Sequence, residues 1–242
     1  AKSVGAIFAG LTAFTALNRA SDSLTNLENR IGLVTGRTKD LIAVQKELIA
    51  ISVRTRGTTN STAEVFTKFG KSLSGTGISN RRLLSATETV QKAIAVSGTT
   101  AASAEAAIFQ LGQGLASGQL RGEELNSVLE QTPRLAQAIA EGLGFSVGEL
   151  RALAEAGKLT SEKVFKALIS QTEKINSEFS TLKPTFEQAT TQLGESIKRI
   201  LGEFSKATGG TEKLTKFILK IADSLNSFAD DIGIIVFETR LQ

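Results

Sequence analysis

The chain has 242 residues, enough for one or two domains with a sizeable core. It contains no Cys, His, Met, Trp or Tyr, which excludes disulfides, thiol chemistry and any histidine-based metal or acid–base site. The net charge is +4 at pH 7, and the excess lies in residues 1–60, which hold eight Lys or Arg and four Asp or Glu. Such a region is attracted to acidic surfaces, such as nucleic acid or a negatively lined tube, but a few lysines solvated on helix faces give the same count.

The pattern of apolar residues predicts an all-α fold. The chain has 22 Gly and only 2 Pro, and no alternating run is long enough to build a sheet. We expect a multi-helix bundle of short amphipathic helices with longer helices at both ends. Three parts are expected: a small-residue-rich N-terminal long helix (1–36), a helical domain (37–183), and a C-terminal helical segment (184–242) that continues beyond Gln242.

Residues 3–17 form an uncharged stretch at the start of the chain. One helical face carries the larger apolar residues, Ile7, Phe8, Leu11 and Phe14. The stretch is shorter than the ~20 apolar residues that span a bilayer, and its flanks are not those of a signal peptide. A buried or self-associating helix is the first interpretation, and a membrane-active segment or a remnant signal remain as alternatives.

The apolar stripe continues to Gly36, where we expect the first helix to end. Thr38 is then a predicted N-cap, Gly57 to Ser61 a loop, and Ser79 another N-cap. The stripes that we expect to be buried in these helices are Leu24, Leu27, Ile31 and Val34; Leu41, Val44, Leu48 and Ile51; Val65, Phe66 and Phe69; and Leu83, Leu84, Val90 and Ile94.

Residues 103–171 read as a series of short amphipathic helices with marked starts and stops. Their apolar stripes are Ala104, Ile108, Leu111 and Leu115; Leu125, Val128 and Leu129; and Val164, Phe165, Leu168 and Ile169. The predicted helix starts are Thr132 with Pro133, the capping box of Ser146 with Glu149, and Thr160 with Glu162. The predicted helix ends are Gly118, Gly142 with Gly144, and Gly157.

The C-terminal part is also predicted to be helical. The helix that begins near Ser161 is expected to run on through Ile175 and Phe179 until Pro184 interrupts it. A further helix is marked by Phe186, Leu193, Ile197, Ile200 and Phe204 and is broken at Gly209-Gly210. The last clear helix carries Leu214, Phe217, Ile218, Ile221, Leu225 and Phe228. The apolar run from Ile232 to Phe237 is left open between a strand, a helix turn and the beginning of a longer apolar segment.

No motif in the chain points to an enzyme, a cofactor or a metal. Gly70-Lys71-Ser72 resembles the end of a phosphate loop, but the glycine required five positions earlier is replaced by Val65. The adjacent carboxylates Glu123-Glu124 and Asp230-Asp231 point about 100° apart on a helix, so neither pair converges on a ligand. The basic groups, Arg81-Arg82, Lys198-Arg199 and the series Lys213, Lys216 and Lys220, are interpreted as solvated helix faces, with a contact to nucleic acid as the alternative.

One long stretch carries a family resemblance. The run from Gly114 to Leu168, with the segments RGEELNSVLEQ and PRLAQAIA, resembles the tape measure domain of phage tail tape measure proteins. The resemblance extends back to DSLTNLENRIGLVTGRTKDL and covers roughly residues 22–175. One departure is Phe66, where a tyrosine is expected; the change removes a hydroxyl group but keeps the packing.

The resemblance implies a structural protein of the virion rather than an enzyme. Members of this family are long helical chains that lie in several copies inside the tail tube or tail tip, set tail length during assembly and leave during DNA ejection. Implied partners are other copies of the chain and tail tube, tail tip or baseplate proteins, with assembly in the host cytoplasm; the sequence does not indicate nucleic acid binding. This stretch has too many helix stops to be the ruler rod itself.

Two surfaces are predicted to make these contacts. They are Ile7, Phe8, Leu11 and Phe14 in the N-terminal stretch, and Phe217, Ile221, Leu225 and Phe228 in the last helix. Residues 3–17 and 232–237 motivate the alternative of a membrane-active helical protein that forms a passage and makes transient contact with the host membrane. A third hypothesis, a cell-wall-cleaving enzyme, has no recognisable domain in the chain.

Overall fold

The computed structural model describes residues 22–36 and 39–208 of the chain, and in these ranges it is all-α. The described residues form eleven helices and no strand, as predicted. The helices are α1 (22–35), α2 (Lys39–Arg54), α3 (Thr59–Ser72), α4 (Asn80–Val96), α5 (Ala101–Ala116), α6 (Gly122–Gln131), α7 (Pro133–Leu143), α8 (Val147–Glu155), α9 (Ser161–Ser170), α10 (Thr172–Ser180) and α11 (Phe186–Thr208).

The chain divides into two compact units. The larger is Asn26–Glu195, and the other consists of Ala1–Thr25 together with Ser196–Gln242. Of the second unit, the structure describes residues 22–25 and 196–208, which are helical. The fold and the sites below belong to the larger unit unless stated otherwise.

The core of the larger unit lies where α3, α4, α7 and α9 meet. Helix α3 packs on α2, α4, α5 and α9, while α9 also packs on α7 and α4. Phe66, Phe69 and Phe165 are fully buried there, and the rings of Phe69 and Phe165 meet edge to face with centroids 5.6 Å apart. Burial of each such side chain stabilises the fold by about 1.5–3 kcal/mol. Phe66 therefore occupies its position by packing alone, without a hydroxyl group to satisfy.

The buried residues confirm most of the predicted apolar stripes. Those that are buried include Leu27, Ile31, Val44, Leu48, Ile51, Val65, Leu83, Val90, Ile94, Ile108, Leu111, Leu115, Leu125, Val128, Val164, Leu168, Ile175 and Phe179. Before α11, the other predicted members are half-buried: Leu24, Val34, Leu41, Leu84, Ala104, Leu129 and Ile169. Spacing in the sequence therefore identified the inner faces of these helices.

Several predicted helix boundaries are confirmed. Ser79 and Thr160 cap α4 and α9 with their hydroxyl groups, and Ser146 forms the predicted reciprocal box with Glu149. The glycines at 118, 144 and 157 adopt left-handed backbones with φ of 84°, 76° and 65°. A side chain with a Cβ is strained in that region, which is why glycine ends these helices. The cap predicted at Thr38 lies outside the described residues.

Thr132 does not cap α7 with its side chain, contrary to prediction. It occupies the N-cap position and Pro133 follows at the first helical position, but the buried Thr132 hydroxyl donates to the carbonyl of Val128 in α6 at 3.0 Å. A single residue joins α6 to α7, so this hydroxyl completes the preceding helix instead. The first turn of α7 is served by Ser97 at the end of α4, whose Oγ accepts from the backbone N–H of Arg134 at 3.1 Å.

Gly142 also has a different role from the predicted one. Helix α7 ends at Leu143 with Gly144 as its cap, and Gly142 lies inside the helix. A Cβ at Gly142 would lie 2.3 Å from the carbonyl oxygen of Ala167 in α9. Glycine is therefore required for the close approach of two backbones, and the end of the helix depends on Gly144 alone.

The long helix predicted from Ser161 to Phe179 is two helices. Gln171 (φ −95°, ψ 2°) interrupts the chain between α9 and α10. After the break, the hydroxyl group of Thr172 lies 3.0 Å from that of Thr89 in α4. The break lets α10 pack along α4, a tertiary requirement that apolar spacing does not reveal.

Candidate interaction surface

Helix α11 begins after the proline interruption predicted at Pro184. The backbone N–H of Thr185 donates to Gln188 Oε1 at 3.2 Å, and that of Gln188 donates to Thr185 Oγ1 at 3.1 Å. This reciprocal pair satisfies N–H groups that have no partner inside the first turn. It fixes the position at which α11 leaves the preceding loop.

Three polar side chains dock α11 on the ends of other helices. Glu195 Oε2 accepts from the first N–H of α3, at Thr59, at 3.0 Å, and Glu187 Oε1 accepts from the first N–H of α5, at Ala101, at 3.4 Å. Gln192 Nε2 donates to the carbonyl of Ser52, in the last turn of α2, at 3.3 Å. It also donates to the loop carbonyl of Gly57 at 2.9 Å.

In these contacts, carboxylates of α11 lie at the N-termini of α3 and α5, and an amide group lies at the C-terminus of α2. The N-terminus of a helix carries a partial positive charge and free N–H groups, so a carboxylate there contributes about 0.3–1 kcal/mol. The C-terminal carbonyls of α2 need donors, and the Gln192 amide supplies one. The first turns of α11 are thus held by polar complementarity.

The apolar side chains of α11 face away from the contact made by Glu195. At about 100° per residue, Glu195 lies on the opposite side of the helix from Phe186, nine positions earlier. Phe186 is 86% exposed, Leu193 51% and Ile200 37%. Exposed apolar residues that form one stripe mark an interaction surface. We call the side chains of Phe186, Thr190, Leu193, Ile197 and Ile200 the outer stripe.

Arg56 anchors the chain segment that precedes α11. Its backbone is left-handed (φ 60°), its Nη2 donates to the carbonyl of Leu182 at 2.9 Å, and its guanidinium lies 4.8 Å from the centre of the Phe179 ring. It also lines a cavity of about 510 Å³ beside the starts of α3 and α5. Arg56 Nη1 is buried and has no hydrogen-bond partner among residues 22–36 and 39–208.

An ion-pair cluster within the described residues joins α7 to α10. Arg134 donates through Nε and Nη2 to both carboxylate oxygens of Glu178, at 2.6 and 2.9 Å. Its Nη2 also reaches Glu141 at 3.3 Å, and Lys174 lies 3.0 Å from the same carboxylate. The hydrogen bond from Arg134 lowers the pKa of Glu178. The contact between Arg134 and Glu178 is bidentate, so its geometry is that of a structural brace.

A second cluster joins α2 to α4 beside an open groove of about 930 Å³. Glu88 accepts from Arg54 at 2.9 Å and from Lys92 at 2.8 Å. Burial raises the pKa of Glu88, but the hydrogen bonds from Arg54 and Lys92 together outweigh it, so the pKa is lowered. Lys92 also donates to Asn176 of α10 at 2.8 Å, which ties three helices together.

The glycine and the carboxylates of the remaining sequence motifs have structural roles. Gly70 lies inside α3, and a Cβ there would be 2.2 Å from Val34 Cγ1 of α1, so this glycine serves helix packing. Glu123 and Glu124 lie in the first turn of α6, where Glu124 accepts from the N–H of Arg121. Within residues 22–36 and 39–208, no group of acidic residues is arranged to hold a metal ion.

The residues predicted to make contacts lie outside the described ranges. These are Ile7, Phe8, Leu11, Phe14, Phe217, Ile221, Leu225 and Phe228, as well as Asp230-Asp231 and the apolar runs 3–17 and 232–237. They remain predictions. Among the helices that the structure does describe, none has the length and apolar character needed to cross a membrane.

The outer stripe was not identified as a surface from the sequence, although a signal was present. Its members recur at alternating intervals of four and three residues from Phe186 to Ile200. That spacing is typical of a helix that packs against another helix rather than a globular core. What the sequence did not reveal is that the domain holds α11 by its opposite face.

Within the described residues, the charged clusters brace helices and apolar side chains are presented at the surface of an all-helical unit. This organisation is that of a structural helical unit. Residues 15–206 match the family described as tape measure protein, so the chain belongs to the tape measure protein family and is a structural component of a phage tail. No curated protein and no solved structure matches the chain significantly.

Proposed function

We propose that this chain is the bundled helical part of a tape measure protein, positioned in the tail tube or at the tail tip. The family match over residues 15–206 carries the proposal. The protein sets tail length during assembly and is released during DNA ejection. Its partners are other copies of itself and proteins of the tail tube and tail tip.

The physical basis of length control is the constant rise of an α-helix. A helix advances about 1.5 Å per residue, so a helical chain that lies along a tube converts residue number into tube length. The helices of the larger unit, Asn26–Glu195, fold back repeatedly through short loops, so this unit spans far less than its helical contour length. We assign this unit to a compact part of the protein at one end of the extended helical region that measures the tail. The divisions proposed for the chain are 1–36, 37–183 and 184–242.

The test uses isolated tails. The mass of the protein that contains this sequence gives its residue number, and electron microscopy gives the tail length. The proposal expects the protein in intact virions, its loss after ejection, and a tail no longer than about 1.5 Å per residue of that protein. A tail substantially longer than this, or virions that lack the protein, would contradict the assignment.

A further inference from the structure

A cavity between α1, α3 and α5 carries three positive side chains and one negative side chain. Its volume is about 500 Å³, within the range of roughly 300–1,000 Å³ that is usual for ligand pockets. All of its lining residues belong to the larger unit. They are Arg30 of α1; Glu64, Thr67, Lys68 and Lys71 of α3; and Ala116, the last residue of α5. We call this cavity the cationic pocket.

Close packing of α1 on α3 brings the three cations to one place. A Cβ at Gly70 of α3 would lie 2.2 Å from Val34 Cγ1, so the two helices approach closely at this point. Arg30 lies four positions before Val34 and therefore on the same side of α1. Lys68 and Lys71 are three positions apart and are neighbours on the surface of α3.

The stem of Lys68 is held in place by α5. A Cβ at Gly112 would lie 3.0 Å from Lys68 Cγ and 3.1 Å from both Cδ and Cε, so the lysine methylenes lie across this glycine. A stem that is packed in this way has already lost part of its rotamer freedom. Less entropy is therefore lost when the ammonium group of Lys68 binds a partner.

The charges of the cationic pocket have no ion-pair partner in the part of the chain that the structure describes. The ion pairs among residues 22–36 and 39–208 all involve other side chains. Glu64 lies four positions before Lys68, a spacing that permits an ion pair on a helix, yet these two residues form none. Three cations around one pocket repel each other, and an anionic group placed among them relieves that repulsion.

The chemistry of the lining favours an acidic peptide over DNA. A peptide offers carboxylates to the three cations and backbone N–H groups to the carboxylate of Glu64. The phosphate backbone of DNA offers acceptors only, and that carboxylate repels it. Among the described residues that line the pocket, none is an aromatic residue on which a base could stack.

This chain does not contain a strongly acidic segment of its own. Its 24 acidic residues are dispersed, and no stretch of six residues contains three of them. A second copy would therefore present at most two neighbouring carboxylates to the three cations of the pocket. A different protein is the better match.

We propose that the cationic pocket binds an acidic segment of another tail protein. The inference rests on the proposed function, in which tail proteins are partners, and it names the chemistry by which one of them is recognised. Carboxylates of that segment lie among Arg30, Lys68 and Lys71, and Glu64 accepts from its backbone N–H groups. The contact is electrostatic, so it weakens as the salt concentration rises.

The first test measures binding of a fluorescein-labelled glutamate hexapeptide to the protein by fluorescence anisotropy, at about 50 mM salt, where screening is weak. The double variant Lys68→Gln, Lys71→Gln should bind roughly tenfold more weakly or worse, because two charge-assisted hydrogen bonds are lost. The matched control Lys163→Gln, Lys166→Gln removes the same charge from the exposed side of α9 and should bind as the wild type does. All three proteins should have similar circular dichroism.

A labelled glutamine hexapeptide controls for the dye, and a short DNA duplex tests the other polyanion. Failure of the wild type to bind the glutamate peptide, equal binding of the glutamine peptide, or equal weakening in the control variant would overturn the proposal. A duplex that binds more tightly than the glutamate peptide, and through Lys68 and Lys71, would also overturn it, because the occupant would then be nucleic acid.

A second measurement identifies the partner in intact tails. A carbodiimide joins lysine ammonium groups to carboxylates that they contact, and mass spectrometry locates the joined residues. Lys68 or Lys71 should be joined to an acidic segment of a different tail protein, and links only to carboxylates of the same protein would contradict the proposal. If the protein is found in virions but neither these links nor peptide binding is observed, the pocket proposal fails while the tail assignment stands.

Discussion

The carboxylate of Glu195 in α11 accepts a hydrogen bond from the backbone N–H of Thr59, the first residue of α3, at 3.0 Å. A residue far along the chain thereby supplies the acceptor that the first turn of an early helix lacks. Together with Gln192 and Glu187, it makes the start of α11 part of the larger unit. It also determines which face of α11 is turned outward.

Removal of these contacts should free the first turns of α11 without unfolding the core. In Gln192→Ala, Glu195→Ala, hydrogen exchange of the backbone amides in residues 186–195 is expected to quicken by roughly tenfold or more, since three hydrogen bonds of about 0.5–1.5 kcal/mol each are lost. Amides around Phe69 and Phe165 in the core should keep their protection.

The control for this experiment is Thr190→Ala. The Thr190 hydroxyl donates to the Glu187 carbonyl of the same helix and lies on the exposed side. Its loss should leave the exchange of α11 nearly unchanged. Equal exchange in the control and in the double variant would mean that α11 is not held by Gln192 and Glu195.

Gly142 should be intolerant of even a methyl group. The added Cβ would lie 2.3 Å from the backbone carbonyl oxygen of Ala167, and backbone atoms move less readily than side-chain ends. Gly142→Ala is therefore expected to lower the free energy of unfolding by about 1–3 kcal/mol, the usual cost of overpacking. Chemical denaturation followed by circular dichroism measures it.

Gly148 provides the matched comparison for Gly142. It is also helical, in the first turn of α8, but its Cβ would meet only Ser146 Oγ, at 4.0 Å. Gly148→Ala should be neutral or stabilising by roughly 0.5–1 kcal/mol, because alanine loses less backbone entropy on folding. A Gly142→Ala protein as stable as Gly148→Ala would show that α7 and α9 are not in close backbone contact.

The brace between Arg134 and Glu178 should contribute to acid sensitivity. Because the Arg134 hydrogen bond lowers the pKa of Glu178 in the folded state, its contribution is present above the ordinary carboxyl pKa. The contribution is lost as the pH falls through the lowered value. Arg134→Met should cost about 1.5–3 kcal/mol near pH 7, as for hydrogen bonds to a charged group. The variant should lose less further stability than the wild type between neutral and acidic pH.

The control for the brace is the exposed pair of Lys166 and Glu162, whose side chains are 66% and 55% exposed. Solvent screens such a pair, so Lys166→Met should change the free energy of unfolding much less than Arg134→Met. If the two variants have the same stability and the same pH profile, the brace between α7 and α10 contributes nothing beyond an ordinary surface pair.

Helix caps, helix ends and buried helix faces could be predicted from the sequence, because they depend on residues that are close together in the chain. Ser146 and Glu149 form their box across three positions, and Gly118 and Gly157 turn the chain where only glycine is unstrained. Apolar spacing likewise identified inner faces, such as that of Leu48 and Ile51, because burial repeats with the helical period.

Tertiary contacts decided the features that the sequence did not reveal. Gly142 looks like a helix end until Ala167 is placed beside it, and Thr132 looks like a cap until Ser97 is found serving the first turn of α7. The outward face of α11 likewise depends on where Glu195 finds its partner. Each involves residues more than 20 positions apart, beyond the reach of local pattern.

Tail length in phage whose tape measure protein carries an insertion in this unit would show whether these helices are folded back or extended in the assembling tail. The turn between α3 and α4 suits it, because Gly75 and Gly77 are exposed, have φ of 81° and 75°, and have no neighbouring atoms within 4 Å of a built Cβ. A helical insert of 28 residues would be placed at Thr76, for an axial length of about 42 Å if extended.

The account predicts tails of unchanged length by electron microscopy, since the insert would project from a compact unit rather than lengthen the path along the tube. Tails longer by about 42 Å would contradict it. That result would mean that these helices lie end to end in the assembling tail and act as part of the ruler.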